Sequence, residues 1–345
     1  MSSLDANTLR AIPKVELHRH LDGSVRFETI IDLAKKYQLD LGIDLSNLEL
    51  LRKKTKITSP MNSLGEVLDT FWTTQKVMCN YDAIKRIAFE NVEDCFRDGV
   101  KLSELRFAPT FIAEGKKLDY DEIIEAVIDG VRDAKEKFKI EVGLIHIIPR
   151  ALSLEKSMVA TKKILEYKKN KGRELIVGFD LADGEKFEDI ETFIDVTELA
   201  RDAGLGVTVH SGEDTTANHV IETINKLKAQ RIGHGIKIFG NDEAIQLVKD
   251  KNVHLEVCPT SNWLTKCVEQ IADHPIKKLL DRGVSVSINS DDPHIMNIDL
   301  VSEYLVCQKY YSMNISDFKK TNLMALKHSF LSEDKKESVG QKYFS

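Results

Sequence analysis

The chain has 345 residues, of which 42% are hydrophobic and 30% charged, the composition of an ordinary soluble globular protein with length enough for a sizeable core. Its net charge of −6, with Lys and Arg scattered rather than clustered, excludes the basic face of a nucleic-acid backbone binder. Five cysteines without a Cys-x-x-Cys pair argue against a disulfide framework, and neither a membrane-length apolar run nor a signal-peptide core in Met1–Arg10 is present, so a reducing, cytoplasmic setting is expected.

Short β-branched runs predict eight strands, at Val15–His20, Val100–Phe107, Glu141–Ile148, Leu175–Leu181, Leu205–His210, Arg231–Gly235, Val253–Cys258 and Val284–Ser290. Amphipathic stretches predict helices between them, among others at Tyr120–Phe138, Leu154–Lys169, Asp189–Ala203 and Asp242–Asp250. Strands alternating with helices imply parallel pairing through right-handed crossovers. Eight such units point to a closed (β/α)₈ TIM barrel of the metallo-dependent hydrolase type, one domain over residues 1–345. The long helical stretch at about 27–91 reads as an insertion after the first strand, covering the barrel mouth.

Polar residues collect at the C-terminal ends of these strands, where such barrels build their sites. His18 and His20 are two apart on the first strand, so both side chains can reach one metal ion, with Glu16 deeper on the same face. Taken alone, the pair is equally consistent with hydrogen-bonded, inert imidazoles. His210 ends the fifth strand, and Gly212 permits a turn that brings Glu213 over the pocket to exchange protons. The alternative for Glu213 and Asp214 is a carboxylate at the start of the following helix, a role that suits Asp214. His234, between Gly233 and Gly235, is either a site residue or a packed barrel histidine. The adjacent Asp291 and Asp292 repel each other unless a cation or donor stabilises one, which favours a metal on Asp291 over a plain surface turn before Pro293. His254-Leu255-Glu256 with Cys258 and Pro259 imitates a cytidine-type deaminase motif, but the Pro and Cys are in the wrong order and the second cysteine is missing. His146, His219, His274, His294 and His328 show no comparable spacing and read as structural or solvated.

The ordered segments His18-Arg19-His20-Leu21-Asp22-Gly23-Ser24, Ala83 to Glu90, Glu104-Leu105-Arg106-Phe107, Val207 to Glu213, Arg231 to Gly235 and Asn289-Ser290-Asp291-Asp292-Pro293 resemble the adenosine deaminase family of metal-dependent barrel hydrolases. The similarity runs from Pro13 to about Leu331. It implies zinc-dependent hydrolysis of adenosine, with 2′-deoxyadenosine, to inosine and ammonia in purine salvage. One zinc ion would be held by His18, His20, His210 and Asp291. His234 would orient the attacking water and help deprotonate it, and Glu213 would donate a proton to purine N1. Asp292 would pair with N7, Asp22 would bind the ribose 5′-hydroxyl, and Leu68 and Phe71 would belong to the helical lid. The partner implied is a small purine nucleoside.

The family's Asp-Leu-Ala-Gly-Asp-Glu stands here as Asp180-Leu181-Ala182-Asp183-Gly184-Glu185, so the amide facing purine N3 belongs to Asp183, with Gly184 one place later. A non-glycine residue narrows the backbone angles open to that contact. Asp22 favours a nucleoside, since relatives acting on free adenine resemble the motif but tend to carry Glu there. Deaminases of adenine or aminodeoxyfutalosine, a catalytically silent nucleoside-binding relative and a cyclic-amide hydrolase remain alternatives. Most binuclear members of the last class need a bridging carboxylate or modified Lys near the end of strand four. The Leu175–Leu181 run offers only Asp180, which favours a single metal.

Overall fold

The computed structural model describes residues 4–61, 64–171, 174–186 and 189–345, without the side chains of residues 64–66, 68 and 69. Eight strands follow one another in a single parallel sheet: β1 (Lys14–His20), β2 (Val100–Phe107), β3 (Glu141–Pro149), β4 (Ile176–Ala182), β5 (Gly206–Ser211), β6 (Arg231–His234), β7 (His254–Val257) and β8 (Ser285–Ile288). Each pairs with its sequence neighbour. The ring meets just past the end of β8. There the Asp291 N–H donates to the His18 carbonyl at 3.0 Å, and the His20 N–H donates to the Asp291 carbonyl at 2.9 Å. A strand-closing contact therefore runs through the site itself.

Helices cover the outside, their apolar faces packed on strands that are buried on both sides. Tyr120–Phe138 and Leu154–Lys169 are as expected, capped by the Asp119 and Ser153 side chains on backbone N–H groups. The expected Asp189–Ala203 helix is a 3₁₀ turn, Ile190–Phe193, running into a helix at Ile194–Asp202. The insertion contains helices Phe27–Lys36, Leu48–Thr55 and Leu64–Val77. A further helix, Tyr81–Arg97, lies on the barrel exterior beside Tyr120–Phe138, with Phe89 and Phe138 rings 5.6 Å apart. The part over the mouth therefore ends near Val77, where Val67 and Phe71 pack with Leu264, Ile295 and Met296 of the loops after β7 and β8.

The expectation that Glu16 shares a face with His18 and His20 is not met. Glu16 opposes Ser103 and Arg19 opposes Leu105, so β1 carries one extra residue between them. Such a bulge reverses the alternation of faces. Glu16 turns outward, accepts from the Ser290 N–H at 3.0 Å and lies 3.6 Å from Arg19 Nη1. The buried carboxylate thus finds its partners and anchors the residue before Asp291.

Inside the barrel, Phe330 closes the floor, its ring 3.7 Å from the Arg231 guanidinium. Above it Arg231 pairs with Glu104 and Glu256, each at 2.6 Å. Arg106 pairs with Glu256 at 2.6 Å and Asp180 at 2.7 Å. All five side chains are fully buried. Burying so many charges is costly unless every one is paired, and here the layer meets the imidazoles above it. Among the described residues no helix is long and apolar enough to cross a membrane.

Candidate active site

β1 delivers His18 and His20, β5 delivers His210, β6 ends at His234, and Asp291 follows β8. One ligand atom from each of His18, His20 and His210 falls within 4.8 Å of the others, and the same holds for His18, His234 and Asp291. Asp291 Oδ1 lies 3.2 Å from His18 Nε2 and 3.3 Å from His20 Nε2. Its Oδ2 accepts from the Ser261 hydroxyl at 2.7 Å and stands 3.8 Å from His234 Nε2. His234 and Asp291 both take φ +62°, a backbone region that side chains rarely adopt and that clusters at functional sites.

The imidazoles are oriented from below. His18 Nδ1 sits 2.8 Å from Glu256 Oε2, and His210 Nδ1 sits 3.1 Å from Asp180 Oδ1. With Nδ1 committed to a carboxylate, Nε2 is turned to the centre of the site, the arrangement that orients metal-binding histidines. Arg106 ties these two carboxylates together. Burial opposes their charge, yet Arg106 and Arg231 hold Glu256 well below the usual carboxylate range. His210 and Arg106 do the same for Asp180. Burial drives His20 well below its ordinary pKa and His18 down as well, which keeps their Nε2 lone pairs open. At His210 the neighbouring Asp180 carboxylate outweighs burial and raises the pKa.

The backbone must approach closely here. A Cβ on Gly233 would stand 3.1 Å from His18 Cε1 and 3.2 Å from His210 Cγ, tighter than ordinary contact. A Cβ on Gly23 would overlap Asp292 Oδ1 at 1.7 Å. The Gly23 carbonyl also accepts from the His294 and Ile295 N–H groups, at 3.0 and 3.2 Å.

Glu213 lies beside this cluster, Oε2 being 3.5 Å from His234 Nε2. It is not a helix-start carboxylate: the next helix begins at Ala217 and is capped by Thr216. Nor is Asp214, which pairs with Lys186 at 3.1 Å. Burial pushes the Glu213 pKa up, the His234 proximity opposing and the Asp291 and Glu185 charges reinforcing. Glu185 holds the backbone of this turn, accepting from the Gly212 and Glu213 N–H groups at 3.0 and 2.9 Å. Asp292 is pushed well above the carboxylate range by burial and by the charges of Asp291, Asp22 and Glu213. Burial raises Asp22 to about 6, its Oδ2 accepting from Gln75 Nε2 of the insertion at 2.8 Å. Two neighbouring carboxylates thus separate, the pKa of Asp291 driven down by the imidazoles around it and that of Asp292 driven up by burial and the Asp291 charge.

Asp183 adopts φ +80°, the glycine-like region, in spite of its side chain. Its carboxylate accepts from the Gly184 N–H at 2.7 Å and the Ala151 N–H at 3.4 Å. Arg150 bonds both the Asp183 and His210 carbonyls, at 3.2 and 2.7 Å, and so couples the β4 loop to β5. Phe71 lies in the cluster between insertion and rim loops; the Leu68 side chain lies outside the described residues.

Several contributors escape a reading of the sequence. Asp180 had one available signal, a charge inside the otherwise apolar strand β4, which must be paired when buried, whereas Arg106 and Glu256 share their strands with other polar residues. Ser261, Asn262, His274, Gln75 and Glu185 lie in loops or helices and carried no such signal. His274 is 2% exposed and bonded to Asn262, a buried histidine and not a solvated one.

Comparison with known proteins gives one consistent picture. Residues 13–343 match the family described as Adenosine deaminase. The chain is similar to the adenosine deaminase of Clostridium botulinum (strain Loch Maree / Type A3), 40% identical over 328 residues, which are 95% of this chain and 96% of that protein. It is 38% identical to the adenosine deaminase of Clostridium perfringens (strain 13 / Type A) over 330 residues, 95% and 97% of the two chains. Among solved structures, an adenine deaminase from Arthrobacter aurescens superposes with a TM-score of 0.84 at 25% identity, covering 96% of this chain and 98% of that one. The Arabidopsis N6-mAMP deaminase gives 0.86 at 26% identity, covering 98% and 99%.

Proposed function

The chain belongs to the adenosine deaminase family, and from that membership we propose that it hydrolyses adenosine, and with it 2′-deoxyadenosine, to inosine and ammonia at one zinc ion in the barrel mouth. The observation that carries this reading is the convergence of four strand ends on one point, with Glu213 beside it.

The donor set fits a metal. Two of its histidines have Nδ1 committed to carboxylates, and Asp291 stays ionised against its burial. Three nitrogens and one oxygen suit zinc and leave a position open. His18, His20, His210 and Asp291 are the proposed ligands. A metal ion there supplies the Lewis acidity that makes hydroxide available near neutral pH. Glu213, its pKa raised by burial, carries the proton donated to purine N1 as C6 is attacked. His234 orients the attacking oxygen. Asp292, its pKa pushed up by burial, donates to N7, and Asp22 accepts the ribose 5′-hydroxyl. The Asp183–Gly184 turn lies against the N3 edge, and Phe71 of the insertion excludes water.

The test is ammonia release by zinc-loaded protein offered adenosine, 2′-deoxyadenosine, adenine and aminodeoxyfutalosine in parallel. Rapid turnover of the two nucleosides with little on adenine is expected. Activity confined to either of the others would overturn the substrate, and zinc binding without any turnover would overturn the enzyme.

A further inference from the structure

A chain of hydrogen bonds leads from the backbone of the loop after β7 into the site. The Ile276 N–H donates to His274 Nδ1 at 3.2 Å. A backbone N–H can only donate, so Nδ1 is the accepting nitrogen and an uncharged His274 has its hydrogen on Nε2. Burial, which drives His274 down to about 3, keeps it uncharged. His274 Nε2 lies 3.2 Å from Asn262 Oδ1, and the only productive bond there is donation to that oxygen. Turning the amide over would set its NH₂ against an N–H. The Asn262 NH₂ therefore points the other way, 3.0 Å from His234 Nδ1 and 3.4 Å from Glu213 Oε1. His234 Nδ1 must accept.

We propose that Asn262 and His274 are positioning residues that fix His234 as its Nε2–H tautomer and direct the proton of Glu213 to Oε2. This rests on the reading of His234 and Glu213 as site residues. Asn262, His234 and His274 are 0%, 1% and 2% exposed, so water does not compete for these bonds. Each link is set by the one before it, ending on a peptide N–H that cannot change role. The consequence is chemical. His234 Nε2 and Glu213 Oε2 are 3.5 Å apart, so both hydrogens are presented to the same space. An Nε2–H donates to the attacking oxygen and holds its lone pair in line. It does not take up the proton that oxygen releases; that proton passes to Glu213 Oε2, 3.5 Å from Nε2, once Glu213 has given its own to N1. The expected help of His234 in deprotonating water is thereby replaced by orientation and charge stabilisation.

The experiment is nitrogen NMR of zinc-loaded protein carrying ¹⁵N-labelled imidazoles, His234 being assigned by its absence in His234→Gln. Wild type is expected to show hydrogen on Nε2 and a bare Nδ1. Asn262→Asp replaces the donor with an acceptor and should move the hydrogen to Nδ1. It should also lower kcat about 100-fold or more with KM within about threefold, since a wrong catalytic tautomer costs up to roughly 10⁴ elsewhere. His274→Phe frees the amide to turn and should give a mixture of tautomers, while His274→Gln, which can still donate to Asn262 Oδ1, should restore the single form. Hydrogen on Nδ1 in wild type, or an unchanged ring in Asn262→Asp, would overturn the proposal. Full deamination by Glu213→Gln would instead overturn the site reading, and the ring spectrum separates the two.

Discussion

Glu256 reaches from β7 across the barrel to His18 on β1, its Oε2 2.8 Å from the imidazole Nδ1, while Arg106 Nη2 lies 2.6 Å from the same oxygen. One carboxylate thus orients the ring of a proposed metal ligand and is itself held by a guanidinium. Glu256→Gln keeps the shape and removes the charge. Zinc affinity is expected to fall about 10- to 100-fold, the usual cost of losing an outer partner. Chelator competition measures it, and unchanged affinity would remove the orienting role.

Glu213→Gln should retain zinc, because Glu213 is outside the proposed ligand set. Without an acid for N1, kcat should drop by roughly 10²- to 10⁴-fold. Elemental analysis and steady-state kinetics on the same sample decide between an acid lost and a metal lost.

Gly23→Ala places a methyl group where Asp292 Oδ1 now lies. Asp292 must move by more than about 1 Å, a displacement able to cost about 100-fold in rate. The expected signature is a fall in kcat/KM together with a lower Tm, since the added carbon would also lie 2.6 Å from Asp292 Cβ. Wild-type kinetics would mean that Asp292 makes no substrate contact.

Glu303 is 0% exposed and accepts from the Thr260 N–H at 3.0 Å, ahead of Ser261 and Asn262. Burial raises its pKa from 4.5 to about 7. The folded chain therefore prefers the protonated acid, and this contribution is fully present below pH 4.5 and lost as the pH rises to about 7. The loss approaches about 3 kcal/mol at the full shift. Denaturant midpoints of Glu303→Gln and wild type should diverge across that window, the variant gaining relative stability as pH rises. Parallel curves would show that Glu303 does not titrate there.

The residues proposed to hold the metal were legible because each ends a short β-branched run, and a barrel brings strand ends to one rim whatever lies between them. His18, His20, His210, His234 and Asp291 needed only that geometry to be grouped. The faces of β1 were not legible, because a bulge between Glu16 and Arg19 is a property of pairing with β2 and leaves no mark on the alternation. Nor were the partners that orient the site. Glu256 is 238 positions from His18, and His274 reaches His234 only through Asn262. Local sequence thus specified which groups meet at the barrel mouth. Which nitrogen of each ring holds a hydrogen, and which carboxyl keeps its charge, depends on burial and on bonds between distant strands, and these exist only once the barrel has closed.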